Sequence, residues 1–439
     1  MLVIENIVWL LVLIGVMIII HEAGHYWAAR WFDVRVETFS FGFGPRLFGF
    51  RKGETDFRFS AILFGGYVKM TGEQLGDESA DDPRSFLSKP RWQRLVIVFA
   101  GPCMNVILAV ALLTGLFMVK YEKVADADQR AAVAHVAKDS AAAKAGIQAG
   151  DHIVEIDGKS RPTWEDITLK EISSAGRPLS VNVERNGKVI ETVVTPVLDD
   201  RIGVGFAGWA PQAEVQVTEV WGPAEKAGIQ KGDLLVSVNG LPIHSAYTLQ
   251  DAIKNSNGKP VIITYDRDSK HQSVTVLPEL SKRAGPEQWM IGVGLERHFN
   301  VVTTRLPFPH ALRASIQENI KGATLIFKFL GGIIERRMSP KSLEGPIGIA
   351  RLSGEAAREG PSMFFSLMSA VSLNLAIFNL LPIPILDGGG IMVLLIEMLI
   401  RRDLSLQVKE TVFKVGFVFL MFVMAFAIYN DISKILPAG

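Results

Sequence analysis

The pentad His21-Glu22-Ala23-Gly24-His25 ends an apolar run that begins near Ile7 and reaches Ile20. No other feature constrains the chain as tightly, because ionisable side chains set against hydrocarbon are costly and are kept for function. On a helix, two His four residues apart project from one face and can share a zinc ion, while the intervening Glu can activate water. The pattern predicts a membrane helix that carries two metal ligands, His21 and His25, and a catalytic base, Glu22. A catalytic zinc site needs one more protein ligand. A soluble zinc peptidase would carry the pentad without the apolar run before it.

Of 439 residues, 49% are hydrophobic, and apolar segments at 7–31, 95–119, 363–381 and 412–429 are each about long enough to cross a bilayer. The first lacks a basic start and a small-residue cleavage site, so it is expected to be retained rather than removed as a signal peptide. The loop after it carries Arg30, Arg35, Arg46, Arg51, Lys52, Arg58, Lys69, Arg84, Lys89, Arg91 and Arg94. The last loop carries Arg401, Arg402 and Lys409, whereas residues 1–7 have no basic side chain. Basic short loops stay in the cytoplasm, so both loops are expected there, with the termini and the 120–361 region outside. The pentad then lies toward the cytoplasmic end of its span. A net charge of +1 without a polybasic block gives no electrostatic basis for binding nucleic acid. The single cysteine, Cys103, excludes a disulfide framework or a thiolate zinc cluster and is expected to pack within its apolar segment.

The region between the second and third apolar segments contains an internal repeat. Lys144-Ala-Gly-Ile-Gln-Ala-Gly-Asp151 returns as Lys226-Ala-Gly-Ile-Gln-Lys-Gly-Asp233, each followed by an alternating strand and a turn, at 153–158 and 235–240. Ile202-Gly-Val-Gly-Phe206 and Ile291-Gly-Val-Gly-Leu295 then follow, as if the same strand closed each copy. Two small β-rich domains are implied, and they resemble PDZ domains. Such domains add an extended peptide to a sheet edge and hold its terminal carboxylate with backbone N–H groups. A steric spacer that merely keeps bulky substrates from the membrane fits the same residues.

The third ligand follows by elimination. His135, His152, His244, His271, His298 and His310 all lie in the middle region, away from the pentad. Asp387 and Glu397 are the acidic donors near apolar segments, and Asp387 is preferred because Leu381-Pro-Ile-Pro-Ile-Leu-Asp-Gly-Gly-Gly390 is built to break a helix. Just before it, Asn374 and Asn379 either hydrogen-bond between helices or hold a substrate backbone near the metal. In the first loop, 36–45 and 56–70 read as strands with alternating Phe. They are expected to form a membrane-associated β-hairpin that either pairs with an unwound substrate or simply covers the site. Leu312, Ile316, Ile320, Ala323, Phe327, Leu330 and Ile334 recur at helical spacing, which fits an amphipathic helix on the membrane surface or packed under the middle domains.

Taken together, the pentad, Phe41-Gly-Phe-Gly-Pro45, Gly65-Gly-Tyr-Val-Lys-Met70, the paired repeat and Leu386-Asp-Gly388 resemble the site-2 protease family of intramembrane zinc metallopeptidases. The likeness is to its bacterial branch with four spans and tandem PDZ domains, and it covers nearly the whole chain. It implies a polytopic α-helical membrane protein with two inserted periplasmic PDZ-like α+β domains, in the inner membrane of a Gram-negative cell. It also implies Zn2+ held by His21, His25 and Asp387, Glu22 as base, and Asn374 and Asn379 as substrate-handling residues. The implied substrates are a single-span anti-sigma factor already trimmed by another protease, and remnant signal peptides. Gly390 departs from the many members that carry His there, which bears on local packing rather than activity. The expected division is 1–125 and 361–439 for the catalytic membrane part, 126–209 and 210–300 for the PDZ-like domains, and 301–360 for the amphipathic helix region. Two rival classes are a non-enzymatic PDZ adaptor with a structural metal site and a zinc transporter. The spans offer little of the polar path that a transporter needs.

Overall fold

The computed structural model describes residues 2–73, 82–124, 131–199, 203–268, 270–281, 287–298, 301–340 and 344–435. Its contacts form two compact units: Met1–Tyr121 with Thr304–Phe327 and Leu343–Pro437, and Glu122–Thr303 with Lys328–Ser342 and the last two residues.

In the first unit, four helices among the described residues are long and apolar enough to cross a membrane: Leu2–Trp31, Arg91–Val119, Pro361–Leu380 and Gln407–Ser433. The first packs Leu13 and Met17 against Ala356, Phe364 and Met368, with Trp9 edge-on to Phe364 at 5.0 Å. The second and third meet through Ala109, Leu373 and Ile377. There Ser369 and Ser372 donate to the Ala109 and Asn105 carbonyls at 2.9 and 2.8 Å, the small-residue contact that draws helices together where lipid gives no hydrophobic drive. The fourth is held near its end by Asp431, whose carboxylate accepts from the N–H groups of Gly345, Ile347 and Gly348 at the start of the helix Pro346–Glu359. That satisfies donors every helix start leaves unpaired.

The third apolar helix stops at Leu380, as its two following prolines require. The glycines after Asp387 do not loosen the chain. They begin a new helix, Asp387–Ile400, pressed against the break: a Cβ on Gly388 would meet Leu381 O at 2.1 Å, and one on Gly389 would meet Ile383 O at 2.5 Å. In the last turn of this helix, Glu397 is fully buried and paired with Lys409 Nζ at 2.6 Å.

The first loop forms two long antiparallel strands, Val36–Lys52 and Thr55–Met70. They bend near Gly42, Gly44 and Gly65, all at positive φ, so that Phe39 pairs with both Val68 and Phe57, while Phe57 also pairs with Phe50. Four short segments result, in the order 66–70, 36–41, 56–60, 46–52. The base of this sheet is buried with Ala29 and Ile97, and its far end leaves Leu47, Phe48 and Phe50 about 60% exposed. The amphipathic segment is a helix, Phe308–Ile334. The face it packs inward is small and polar, with Ala311, Ser315 and Asn319 buried, whereas Ile316, Ile320 and Phe327 are exposed.

The second unit contains two sheets of matching topology. One runs Trp209–Pro211, Ala131–Val136, His152–Ile156, Leu179–Arg185, Lys188–Val194. The other runs Val293–His298, Glu214–Val220, Leu234–Val238, Val261–Arg267, Lys270–Val276. A helix capped by Thr163 covers the first, and one capped by Ser245 the second. These are the two β-rich domains that the repeat implied. The repeated Gly-Asp has a structural cause: Asp151 and Asp233, each 1% exposed, accept two bonds from Arg185 and Arg267 and one from the Gln148 and Gln230 N–H. The closing strands differ. Val293–His298 joins its sheet directly, whereas Val204–Phe206 pairs apart with Val197–Asp199, and Trp209–Pro211 takes the edge across the boundary expected at 209. Ile202 and the boundary residues 126 and 300 lie outside the described residues.

Candidate metal and catalytic site

The first and second apolar helices can cross closely because each has a glycine at the contact. A Cβ on Gly24 would lie 2.4 Å from Ala100 O. Opposite, a Cβ on Gly101 would lie 2.3 Å from His25 Nε2 and 2.9 Å from His21 Nε2. The space Gly101 leaves open is therefore the space into which both imidazoles point. Asp387, first residue of its helix, enters the same space from the other end of the sequence.

His21 Nε2 and His25 Nε2 are 3.2 Å apart, Asp387 Oδ2 is 3.0 Å from the first, and Asp387 Oδ1 is 3.5 Å from the second. A tetrahedral zinc with bonds of about 2.0–2.1 Å separates its ligand atoms by roughly 3.3 Å, so these donors are spaced as such an ion requires. Asp387 Oδ2 is buried and lacks a well-formed hydrogen bond, its near neighbour being His21 Nε2 at 3.0 Å, an expensive arrangement for a lone carboxylate oxygen and an ordinary one for a ligand. His25 Nδ1 donates to Ile97 O at 2.9 Å, which leaves the Nε2 lone pair facing the cluster. His21 and His25 are each 8% exposed. Among the described residues, His21, His25 and Asp387 are the only grouping of this kind.

Glu22, next to His21 on the helix, packs against the β-sheet. Its Cγ lies 3.1 Å from where a Gly66 Cβ would be. Asn374 and Asn379 sit half-buried on the third apolar helix, and neither amide has a hydrogen-bond partner among the described residues. Glu397, the rival third ligand, is committed to Lys409 and the Leu404 N–H. Reading the sequence alone misses Ile97, Gly101 and Asn105, which share one face of the second helix at spacing four. The available signal was a polar Asn in an apolar span, one turn beyond a Gly.

Residues 9–423 match peptidase family M50. The chain is 31% identical to protease RseP of Yersinia pestis, over 98% of this chain and 100% of that protein. It is 30% identical to the regulator of sigma-E protease RseP of Escherichia coli, over 97% and 98%. It is also 29% identical to a putative zinc metalloprotease of Vibrio cholerae, over 98% and 99%.

Proposed function

Because this chain belongs to peptidase family M50, we propose that it is a zinc endopeptidase that cleaves peptide bonds inside the membrane, with His21, His25 and Asp387 as its metal ligands and Glu22 as its base. The observation that carries this reading is three donors at tetrahedral spacing, two of them buried, with a carboxylate one residue from the first of them. When bound, zinc supplies Lewis-acid chemistry, polarising a carbonyl and making water acidic near neutral pH. Glu22 takes the proton as the water oxygen attacks the carbonyl carbon, then returns it to the amide nitrogen as the C–N bond breaks.

A helical substrate hides its peptide bonds, so it must unwind, and the bent sheet of the first loop offers backbone for pairing with the unwound segment. Asn374 and Asn379 have amides free to hold that segment. The exposed aromatic end of the sheet sits in the cytoplasmic membrane interface. The orientation read from basic loops puts the PDZ-like domains in the periplasm, where they keep bulky proteins from the site and can receive peptide C-termini. The substrates are single-span inner-membrane proteins that have lost their exported domain. An anti-sigma factor is the first candidate, given the names of the relatives, and remnant signal peptides the second.

The test is a Glu22→Gln variant purified in detergent beside the wild type, given a tagged single-span substrate without its exported domain. Both should carry zinc, and the variant should cleave at least about 100-fold more slowly, the usual worth of a general base. Undiminished cleavage by the variant, or none by the wild type across several trimmed substrates, would overturn the proposal.

A further inference from the structure

Asn105 is completely buried in the second apolar helix, beside the site but outside the ligand set. Its Nδ2 lies 3.2 Å from His21 Nδ1, and its Oδ1 is buried without a partner. That pairing requires a lone pair on Nδ1, which leaves the single proton of a neutral imidazole on Nε2, the atom 3.0 Å from Asp387. A protonated Nε2 cannot bind a metal. Turned by half a rotation about its last bond, the same amide keeps its shape and presents Oδ1 to His21. It then accepts the Nδ1 proton, its orphaned oxygen is satisfied, and Nε2 is left with a lone pair toward the cluster. His25 already has this arrangement, with Ile97 O as the acceptor.

We infer that Asn105 is a positioning residue for metal uptake: in the metal-binding state its amide oxygen receives the Nδ1 proton of His21 and so fixes Nε2 as a ligand. The inference rests on the reading of His21 as a ligand. One face of the second helix thereby does three things at spacing four. Ile97 sets the tautomer of one His, Gly101 leaves the space, and Asn105 sets the tautomer of the other. The helix itself is held in place by Ser372, whose hydroxyl donates to Asn105 O.

The experiment compares wild type, Asn105→Leu and Asn105→Asp, each as full-length protein stripped with EDTA, by zinc titration against a competing chelator and by the visible spectrum with Co2+. Loss of an outer-shell acceptor typically weakens metal binding 10–100-fold. Asn105→Leu should lose about that much, with an altered Co2+ spectrum but an unchanged metal-free melting temperature. Asn105→Asp, whose oxygens only accept, should bind zinc as tightly as wild type or more tightly. Wild-type affinity in Asn105→Leu, or equal weakening in both variants, would overturn the inference. Should the Leu variant fail to fold without metal, the Asp variant decides alone, and weaker binding by it counts against the idea. If the wild type itself takes up no zinc, the ligand reading fails and this inference falls with it.

Discussion

At the scale of single residues, the site depends as much on missing atoms as on present ones. Gly101 is the sharpest case, because any Cβ there would lie within 2.3 Å of His25 Nε2. Gly101→Ala should therefore lower zinc affinity by at least about tenfold, comparable to losing outer-shell support, and zinc content per protein after dialysis checks it. Normal zinc content in that variant would show that the helices can separate without loss. The pentad was legible as a candidate because its two His and one Glu lie within five consecutive residues of an apolar run. Asp387 was reached only by excluding other donors and by the prolines before it. Asn105 and Gly101 were not legible, since a lone Asn and a Gly in a span read equally well as interhelical packing, and what gives them a role is which partner helix they face.

At the scale of elements, two carboxylates act as clamps. Asp431 fastens the last apolar helix to the start of Pro346–Glu359 through three N–H groups. Asp431→Ala should cost about 1–2 kcal/mol, as losing a helix cap does, and should speed amide hydrogen exchange at Ile347 and Gly348 while leaving the metal site intact. Asp151 is the other clamp. Burial raises its pKa, yet the bonds from Arg185 and the Gln148 N–H outweigh burial and hold it below the usual carboxylate range. A lowered pKa means its contribution is complete above the unfolded value near 3.9 and disappears as pH falls through the folded value. The strands around Val133 and Val183 should thus keep their exchange protection from neutral pH down to about 4 and lose it below. Arg185→Ala should remove it already at neutral pH, because the Asp151 carboxylate then loses both guanidinium bonds. The repeat was plain in the sequence because the Gly-Asp turn is local, whereas the arginine that clamps each Asp lies 34 residues further on. The bending of the first-loop sheet into four segments was not, since it depends on glycines whose φ is decided by pairing across the sheet. The helix Asp387–Ile400 was hidden for a related reason: its glycines suggest a loop until the backbone they press against is known.

At the scale of the whole molecule, the middle domains give the proposed size filter a direct test. Excising residues 131–298 and bridging the gap with a flexible linker should raise cleavage of a substrate that keeps a folded exported domain to the rate seen with a trimmed one. The rate on the trimmed substrate should stay the same, and a gel-based comparison of the two substrates reads the ratio. The proposed ligand set has a different consequence at this scale. His21 and His25 come from near one end of the chain and Asp387 from near the other, so their meeting closes a loop that contains most of the protein. Closing so long a loop carries a large entropic penalty, but that penalty grows only slowly with length. A clasp there links folding to free metal by mass action, adding about 2.7 kcal/mol when zinc stands at 100 times its dissociation constant. The midpoint of thermal unfolding should then climb with each tenfold rise in free zinc, so the availability of the ion sets how long the protein lasts as well as how fast it cuts.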